Sequence, residues 1–268
     1  MIAPRAPTFD AMSELLPPLP LTLVVITRDA GAQLRDCLAS AAFAAETIVV
    51  DSGSRDDTVE IARSMGARVL SHEWLGFGPQ KNFAVAQAAH DWVLCLDADE
   101  RVSDELEDSL RETMARPGHF AYAMARRNRF LGRWLSHGEG YPDWSLRLFD
   151  RRHARWSEDA VHERVLTSDS VGRVDGDLLH ASGESLDAYL AKQNRYTTLQ
   201  AEAMYARGER FSFGRLFFSP LVRFARFYLL RAGFLDGTAG LVHIAIGCFN
   251  SFCKYAKLRA LEQAARAR

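Results

Sequence analysis

The sequence predicts an α/β fold with a mixed, mainly parallel central sheet, followed by C-terminal amphipathic helices. Strand and helix patterns alternate four times over about the first hundred residues, which is typical of a parallel sheet with right-handed crossovers. Helical spacing dominates from residue 186 onward. The length of 268 residues suits one large domain, or one domain with an appendage, and a hydrophobic content of 48% is ordinary for a soluble globular protein.

Apolar runs rich in β-branched or large apolar residues predict buried strands at LTLVVIT (21–27), ETIVVD (46–51) and WVLCLD (92–97). ARVLSH (67–72) predicts a further strand between the second and the last of these. Helices are expected at 32–43, 54–66 and 79–90, further strands at 120–130 and 144–150, and a loop-rich stretch at 151–183. Ligands of such sheets bind beyond the carboxyl ends of the strands. Thr27, Asp51 and Asp97 each end a strand, so we expect their polar groups at one edge of the sheet.

The chain divides into three predicted parts. Residues 1–19 form a flexible N-terminal arm, because they contain several prolines and no apolar core of signal-peptide length. Residues 20–185 form the working domain, with a first half at about 21–115 and a second at about 116–185. Residues 186–268 form a helical, membrane-associating region. Without an export signal, we expect the working domain in the cytosol.

Charge is distributed unevenly along a chain whose net charge is only −1. Residues 192–268 carry 13 basic and 4 acidic side chains, a balance of +9, which leaves −10 for the remainder. This split indicates an acidic working domain and a basic region that meets an anionic partner. The four cysteines form no CxxC pair and have apolar neighbours, so reduced buried thiols are expected.

An Asp-x-Asp motif, Asp97-Ala98-Asp99, ends the fourth predicted strand. Alternation along a strand sends the two carboxylates roughly the same way. Such a pair suits Mg²⁺ or Mn²⁺, which completes its coordination with water and substrate phosphates. The alternative is that Asp99 and Glu100 only cap a helix beginning near Ser103.

Three stretches carry a family resemblance. LTLVVITRDAGAQLRDCLASA, ETIVVDSGSRDDTVEIA and GPQKNFAVAQAAHDWVLCLDADE, in this order and spacing, resemble the nucleotide-sugar half of a family-2, GT-A-type glycosyltransferase over about residues 21–150. The resemblance implies a Rossmann-like GT-A domain, a nucleotide-sugar donor such as UDP-glucose, and manganese or magnesium as cofactor.

The resemblance also assigns roles by position. Thr27 and Asp29 would flank the base and ribose pocket, and Asp51 would accept a hydrogen bond from the base. Lys81 would meet the pyrophosphate or the base edge, and its neighbour Asn82 would also bind the nucleotide sugar. Lysine stands there where the family usually has arginine, which keeps the charge but loses the planar fork.

Among the acids, Asp97 would reach the ribose or the metal, and Asp99 would bind the metal. For Asp51 the alternative is a turn-forming role before Ser-Gly-Ser.

An inverting transfer to a hydroxyl needs a base from the later half of the domain. WSEDAVHERV (156–165) is the best source, with Glu163 as the expected base, Asp159 second and Glu158 a further candidate. A solvated acidic loop is the alternative. His162 and His180 are possible metal ligands or phosphate contacts, although a lone histidine is more often structural.

Arg147 lies inside the apolar strand WSLRLF and needs an anionic partner, either a diphosphate or the acidic loop. Tyr141, Trp144 and Trp156 provide either a sugar-stacking surface or core. The fragments YPDWSLRLFDRR, VHERV, GDLLHAS, NRYTTLQA and RAGFLDGTAG resemble a narrower subgroup, the lipopolysaccharide-core glucosyltransferases that add β-glucose to inner-core heptose. That resemblance implies a lipid-linked glycan acceptor.

Two C-terminal segments predict contact with an anionic membrane. In 213–233, Arg215, Ser219, Arg223 and Arg226 share one sector of a helix rich in Phe and Leu, with a kink expected at Pro220. Residues 237–253 are uncharged but fall short of the about 20 apolar residues of a span, so an amphipathic, monotopic segment is favoured. The alternative is that both pack as core. Nucleic acid is not an expected partner, because no RNA or DNA module is recognisable.

The leading hypothesis is a metal-dependent, inverting glycosyltransferase, peripheral or monotopic, at the cytoplasmic side of the inner membrane. Its alternatives are a polyprenyl-phosphate hexosyltransferase, whose acceptor needs no base, and a sugar-nucleotide nucleotidyltransferase. The latter usually has a glycine-rich loop after the first strand, and TRDAGAQLRD lacks one. A non-catalytic membrane adaptor would leave the acids at the sheet edge unexplained.

Overall fold

The structure is a computed structural model that describes residues 16–159, 163–183 and 185–266. The arm predicted for residues 1–19 therefore lies largely outside the described residues. The chain forms two compact units, and each is described by itself. The first contains the chain up to Arg126 and Trp144–His180, and the second contains Arg127–Asp143 and the chain from Ala181.

Strands of the sheet alternate with helices in the first unit, as the sequence predicts. The strands are β1 (Leu19–Thr27), β2 (Ala44–Asp51), β3 (Arg68–Ser71), β4 (Trp92–Asp97), β5 (Glu100–Val102), β6 (Ala121–Phe130), β7 (Arg133–Trp134), β8 (Asp143–Asp150), β9 (Ala154–Trp156), β10 (Val165–Thr167) and β11 (Val171–His180). The helices are α1 (Gly31–Ser40), α2 (Thr58–Ser64), α3 (Phe77–Ala86) and α4 (Asp104–Ala115). β7 and the far end of β6 belong to the second unit.

The central sheet is mixed and mainly parallel at its core. Its strand order among the described residues is β3-β2-β1-β4-β8-β6-β11-β5. β1 pairs in parallel with both β2 and β4, and β2 pairs in parallel with β3. β8 then runs antiparallel to β4, and β11 antiparallel to β5. The predicted fold class is therefore confirmed.

The hydrophobic core lies on both faces of this sheet. Leu23 and Val25 of β1 pack in one buried cluster, and Val24 and Ile26 pack in another. Because successive side chains alternate between faces, a strand buried on both sides needs an uninterrupted apolar run. This requirement explains why LTLVVIT shows no polar alternation.

The expectation of a loop-rich stretch at 151–183 is wrong, because β9, β10 and the ten-residue β11 lie there. VGRVDGDLLH contains two glycines and three charged residues, so its local strand signal is weak. Pairing with β5 and packing on α4 hold it in the sheet. Gly176 has φ +92°, and a Cβ there would lie 2.4 Å from the backbone nitrogen of Leu106.

Helices make up most of the second unit. They are α5 (Leu186–Ala206), α6 (Phe213–Phe224), a π-helical turn (Ala225–Leu230), a 3₁₀ turn (Gly233–Asp236) and α7 (Gly237–Arg266). α5 and α6 both pack against α7. Within the described residues, no individual helix has the length and apolarity to cross a membrane. Residues Phe213–Leu230 and Gly233–Arg266, bent by 76°, meet those criteria only as a pair.

Candidate active site

Polar side chains from three strands meet at one edge of the parallel sheet. Thr27 pairs with Asp51 across β1 and β2, and Ile26 pairs with Asp97 across β1 and β4. The predicted convergence of Thr27, Asp51 and Asp97 is therefore confirmed. The edge is formed by the carboxyl ends of the strands, where ligands of open α/β sheets bind.

Asp51 organises the loop that follows β2. Its Oδ2 accepts hydrogen bonds from the backbone N–H groups of Gly53 and Ser54, both at 3.0 Å, and the Ser54 hydroxyl donates to its Oδ1. The Ser54 oxygen in turn accepts from the backbone N–H of Asp29 at 2.8 Å. The carboxylate of Asp29 accepts from the backbone N–H of Arg55 at 2.7 Å. Asp51 and Asp29 thus hold the loops after β1 and β2 together.

Thr27 has a hydroxyl with an unmet hydrogen-bonding requirement. The residue is buried, and its Oγ1 has no hydrogen-bond partner among the described residues. Buried polar atoms without partners are uncommon, and their cause is often an absent water or ligand. This atom marks the sheet edge as a place where a polar ligand is expected.

Lys81 lies at the centre of the charged part of the site. Its side chain is only 2% exposed, and its Nζ lies 2.9 Å from Oδ1 of Asp97 and 3.0 Å from Oε1 of Glu163. The same Nζ lies 4.3 Å from the centre of the Trp156 ring, a cation–π contact. One ammonium from α3 therefore joins the end of β4 to the expected catalytic base.

Arg147 extends this chain of alternating charges. Its Nη2 lies 2.7 Å from Oδ2 of Asp97 and 2.6 Å from Oε1 of Glu100. Nη1 of Arg126 lies 3.5 Å from the same Glu100 oxygen. Arg147 was expected to pair with a diphosphate or with the acidic loop, but its carboxylate partners here are Asp97 and Glu100, at the end of β4 and the start of β5. Each oxygen of Asp97 is bonded to a cation.

The pKa values of this cluster follow from its charges. Burial raises the pKa of Asp97, but the guanidinium of Arg147 and the ammonium of Lys81 outweigh it and hold that pKa well below its usual range. Burial likewise lowers the pKa of Arg147, and Asp97 and Glu100 together raise it above its usual range. Asp97 is therefore ionised throughout the physiological pH range.

Asp99 lies apart from these cations and beside an imidazole. Nε2 of His180 lies 3.3 Å from Oδ2 of Asp99, because His180 ends β11 and pairs with Glu100 of β5. Across the described residues, no group of three or more His, Cys, Asp or Glu side chains is arranged to hold a metal ion. One carboxylate and one imidazole still fit a metal that takes its remaining ligands from phosphates and water, and this donor set suits Mn²⁺ better than Mg²⁺.

The hairpin of β9 and β10 carries the acids proposed as base. Ser157 and Arg164 close it, with the backbone N–H of Ser157 donating to the Arg164 carbonyl at 2.8 Å. Glu163 reaches Lys81, whereas Glu158 and Asp159 are exposed. His162 lies outside the described residues.

Asn82 fixes this hairpin to α3. Its Nδ2 donates to the Trp156 carbonyl and its Oδ1 accepts from the Trp156 backbone N–H, both at 2.9 Å. Both ends of the amide are thus used inside the protein. Trp156 itself is 2% exposed and forms core, so the sugar-stacking interpretation is wrong for this residue. Trp144 is 41% exposed, with the guanidinium of Arg173 at 4.4 Å from its ring centre.

Sequence reasoning missed the role of Glu100. This side chain is fully buried, and besides Arg147 it accepts a hydrogen bond from the backbone N–H of Asp97 at 3.0 Å. The capping interpretation is wrong for Glu100, since α4 is capped by Ser103, whose hydroxyl accepts from the Leu106 N–H at 3.2 Å. One sequence signal could have indicated that Glu100 is buried. It stands directly before Arg101 and Val102, which continue the same short strand.

Two glycines of WLGFGPQKN also escaped notice. Gly76 directly precedes the first residue of α3 and has φ +101°. A positive φ of this kind favours glycine. A Cβ on Gly78 would lie 1.8 Å from the Ser157 carbonyl oxygen. Gly78 therefore allows α3 to approach the base of the hairpin closely enough for Lys81 to reach Glu163.

The mixed, mainly parallel sheet and the long C-terminal helices have a GT-A-type architecture. Residues 22–167 match the sequence family described as glycosyl transferase family 2. The chain is 31% identical over 252 residues to the lipopolysaccharide core biosynthesis glycosyltransferase LpsC of Rhizobium meliloti, covering 91% of this chain and 93% of that protein.

It is also 31% identical over 259 residues to an uncharacterized glycosyltransferase of Rickettsia typhi, covering 92% of this chain and 89% of that one. Among solved structures, S. aureus TarS aligns with a TM-score of 0.45 and 15% identity, over 67% of this chain and 39% of TarS. The chain belongs to glycosyl transferase family 2.

Proposed function

We propose that this glycosyltransferase moves a hexose, with glucose from UDP-glucose as the first candidate, to a hydroxyl of a lipopolysaccharide inner-core glycolipid, inverting the anomeric carbon. The observation that carries the proposal is the anchored carboxylate of Glu163, 3.0 Å from a buried lysine that also contacts Asp97 at the strand ends. The acceptor class is supported by the lipopolysaccharide core role in the name of the relative LpsC.

The donor binds at the sheet edge in this proposal. Thr27, with its unpartnered hydroxyl, and the loop held by Asp29 and Asp51 receive the nucleoside. Lys81 and Arg147 supply positive charge near the diphosphate, and Asp97 keeps both cations in place. Asn82 acts by positioning the hairpin.

Asp99 and His180 are the proposed ligands of Mn²⁺ or Mg²⁺. A bound ion supplies charge neutralisation for the leaving nucleoside diphosphate. This role suits a pair of ligands that leaves most of the coordination sphere to phosphate oxygens and water.

Glu163 is the proposed base. The acceptor oxygen forms the new bond to the anomeric carbon while the bond from that carbon to the diphosphate breaks, and the diphosphate leaves with the electron pair. The hydroxyl proton passes to the second carboxylate oxygen of Glu163 in this proposal, while Oε1 stays on Lys81. Asp159, exposed on the same loop, is the second candidate.

A membrane surface at the cytoplasmic side of the inner membrane is the proposed site of work, with the enzyme bound peripherally or as a monotopic protein. Large apolar side chains of α6 are between 59% and 67% exposed, namely Phe213, Phe217, Phe218, Leu221 and Val222. Arg215 and Arg226 are exposed near them. Apolar and basic side chains on one surface fit an anionic bilayer interface.

The predicted basic sector needs one correction. Arg223 points into the second unit, where its guanidinium pairs with the Glu139 carboxylate and Nη1 donates to Ser251 Oγ at 3.2 Å. It is therefore not available to lipid headgroups.

The decisive experiment incubates purified protein with UDP-glucose, Mn²⁺ and lipopolysaccharide truncated to the inner core, and measures UDP release and the anomeric configuration of the product. We expect a β-linked product from the α-linked donor. Glu163→Gln is expected to lower kcat by a factor of about 100 or more, with Asp108→Asn, an exposed acid on α4, as the control near wild type. A comparable loss in Asp159→Asn, with Glu163→Gln near wild type, would make Asp159 the base. Near-normal turnover of Glu163→Gln on a polyprenyl phosphate would favour the polyprenyl-phosphate alternative, and release of pyrophosphate would favour nucleotidyl transfer.

A further inference from the structure

An exposed aromatic pair, Trp74 and Phe77, stands where the loop after β3 enters α3. Trp74 is 43% exposed and Phe77 is 51% exposed, and their rings meet edge to face at 4.9 Å and 88°. Neither ring is used by the donor site or by the charged cluster described above. Large exposed aromatic side chains on a functional edge generally mark a binding surface.

Phe77 begins a helix that packs against the β9–β10 hairpin. Gly76, with its positive φ, sets the turn into α3, and Gly78 lets the helix pack against the carbonyl of Ser157. Asn82, further along α3, bonds both backbone groups of Trp156. The loop, the helix and the hairpin therefore form one packed assembly within the first unit.

Helix geometry places Phe77 beside the lysine that contacts the proposed base. Phe77 and Lys81 are four residues apart in α3, so they lie on one face with Cβ atoms about 5–6 Å apart. Nζ of Lys81, at the far end of its side chain, lies 3.0 Å from Glu163. The Phe77 ring and the Glu163 carboxylate are thus connected through one lysine side chain, a separation that an oligosaccharide of several sugar rings can span.

The chemistry of the loop favours a sugar ring over a lipid surface. A pyranose has a face of C–H groups that packs on aromatic rings, while its hydroxyls stay free for hydrogen bonds. Residues 72–80 contain no lysine or arginine and one acid, Glu73, so the loop has no charge complementarity to an anionic bilayer.

We propose that Trp74 and Phe77 form an acceptor subsite that stacks on a sugar ring of the acceptor glycan. The inference rests on the proposed function, since it takes Glu163 as the base and a glycan as the acceptor. Beyond the proposed function, the inference states where the acceptor glycan binds and which residues favour a carbohydrate at that position.

The test uses the full-length protein and a lipid-free core oligosaccharide released from lipopolysaccharide by mild acid. The variants are Trp74→Ala, Phe77→Ala and, as a matched control, Leu75→Ala. Leu75 is 55% exposed on the same loop but has no aromatic face. Binding of the oligosaccharide is measured by calorimetry without donor, and KM for acceptor and for UDP-glucose is measured in the transfer assay.

We expect the two aromatic variants to weaken oligosaccharide binding and raise acceptor KM about tenfold, with donor KM and donor hydrolysis within twofold of wild type. Leu75→Ala should stay near wild type. The subsite would be overturned if Leu75→Ala weakened oligosaccharide binding as much as the aromatic variants do. It would also be overturned if the aromatic variants impaired transfer only with vesicle-embedded acceptor, or if they raised donor KM and left acceptor KM unchanged.

Failure of the donor assignment is distinguishable from failure of the subsite. A wild-type protein that binds the oligosaccharide but does not use UDP-glucose contradicts the donor, while the calorimetric comparison of variants still decides the subsite. If the wild-type protein binds no core oligosaccharide, the acceptor subsite is overturned.

Discussion

Nζ of Lys81 lies 3.0 Å from Oε1 of Glu163, although 82 positions separate the two residues along the chain. The lysine is almost completely buried, so the pair connects the interior face of α3 to the β9–β10 hairpin. The same ammonium contacts Asp97, which makes it a shared partner of the donor side and the acceptor side of the proposed reaction.

Replacing Lys81 should lower the stability of the folded protein. In Lys81→Met, two carboxylates lose their shared cation, and we expect the free energy of unfolding to fall by about 2–4 kcal/mol, since breaking a buried pair leaves charge uncompensated. Lys81→Arg keeps the charge and serves as the control. Urea unfolding of the two variants checks this. Equal stability of Lys81→Met and wild type would show that the contact contributes nothing.

Gly78 should be intolerant of even one methyl group. A Cβ there would lie 1.8 Å from the Ser157 carbonyl oxygen, so Gly78→Ala must separate α3 from the hairpin. We expect a loss of about 1–3 kcal/mol in unfolding free energy and a loss of transferase activity. Gly118→Ala is the control, because an added Cβ at Gly118 meets no atom within 4 Å. Thermal unfolding of both variants should separate them by several degrees.

Asp99 should be required for the joint binding of metal and nucleotide. Mn²⁺ with UDP is expected to raise the Tm of the wild type by mass action, and Asp99→Asn and His180→Ala should each abolish most of this shift. Asp108→Asn, an exposed acid on α4, is the control that should retain it. A full shift in both site variants would place the metal elsewhere.

His243 should make the second unit less stable in mild acid. Burial lowers its pKa from 6.5 to about 4, with Arg223 lowering it further and Asp236 opposing. The rings of Phe130 and Tyr189 lie 5.2 Å and 6.3 Å from the imidazole.

Between pH 6.5 and 4 the unfolded chain binds a proton at this residue that the folded chain does not, so stability falls as pH falls, by up to about 3 kcal/mol. Urea midpoints at pH 7 and pH 5 check this, and His243→Gln should show a smaller difference between them. An identical difference in both proteins would contradict the assignment.

Much of the fold and part of the site were predictable because their signals are local. Uninterrupted apolar runs such as LTLVVIT require burial on both faces, and their alternation with helical segments requires a parallel sheet. The strand ends then bring Thr27, Asp51 and Asp97 to one edge. β11 was not predictable in this way, because its glycines and charges become a strand only through pairing with β5.

The sequence by itself thus determined the sheet, its polar edge and the acids placed there, since strand periodicity and chain order decide these. Only the tertiary structure decided which charges meet. Lys81 with Glu163, Glu100 with Arg147, and Arg223 with Glu139 are pairs made across long separations. Each depends on where a loop or helix returns in space, and coulombic partners leave no periodic trace in a sequence.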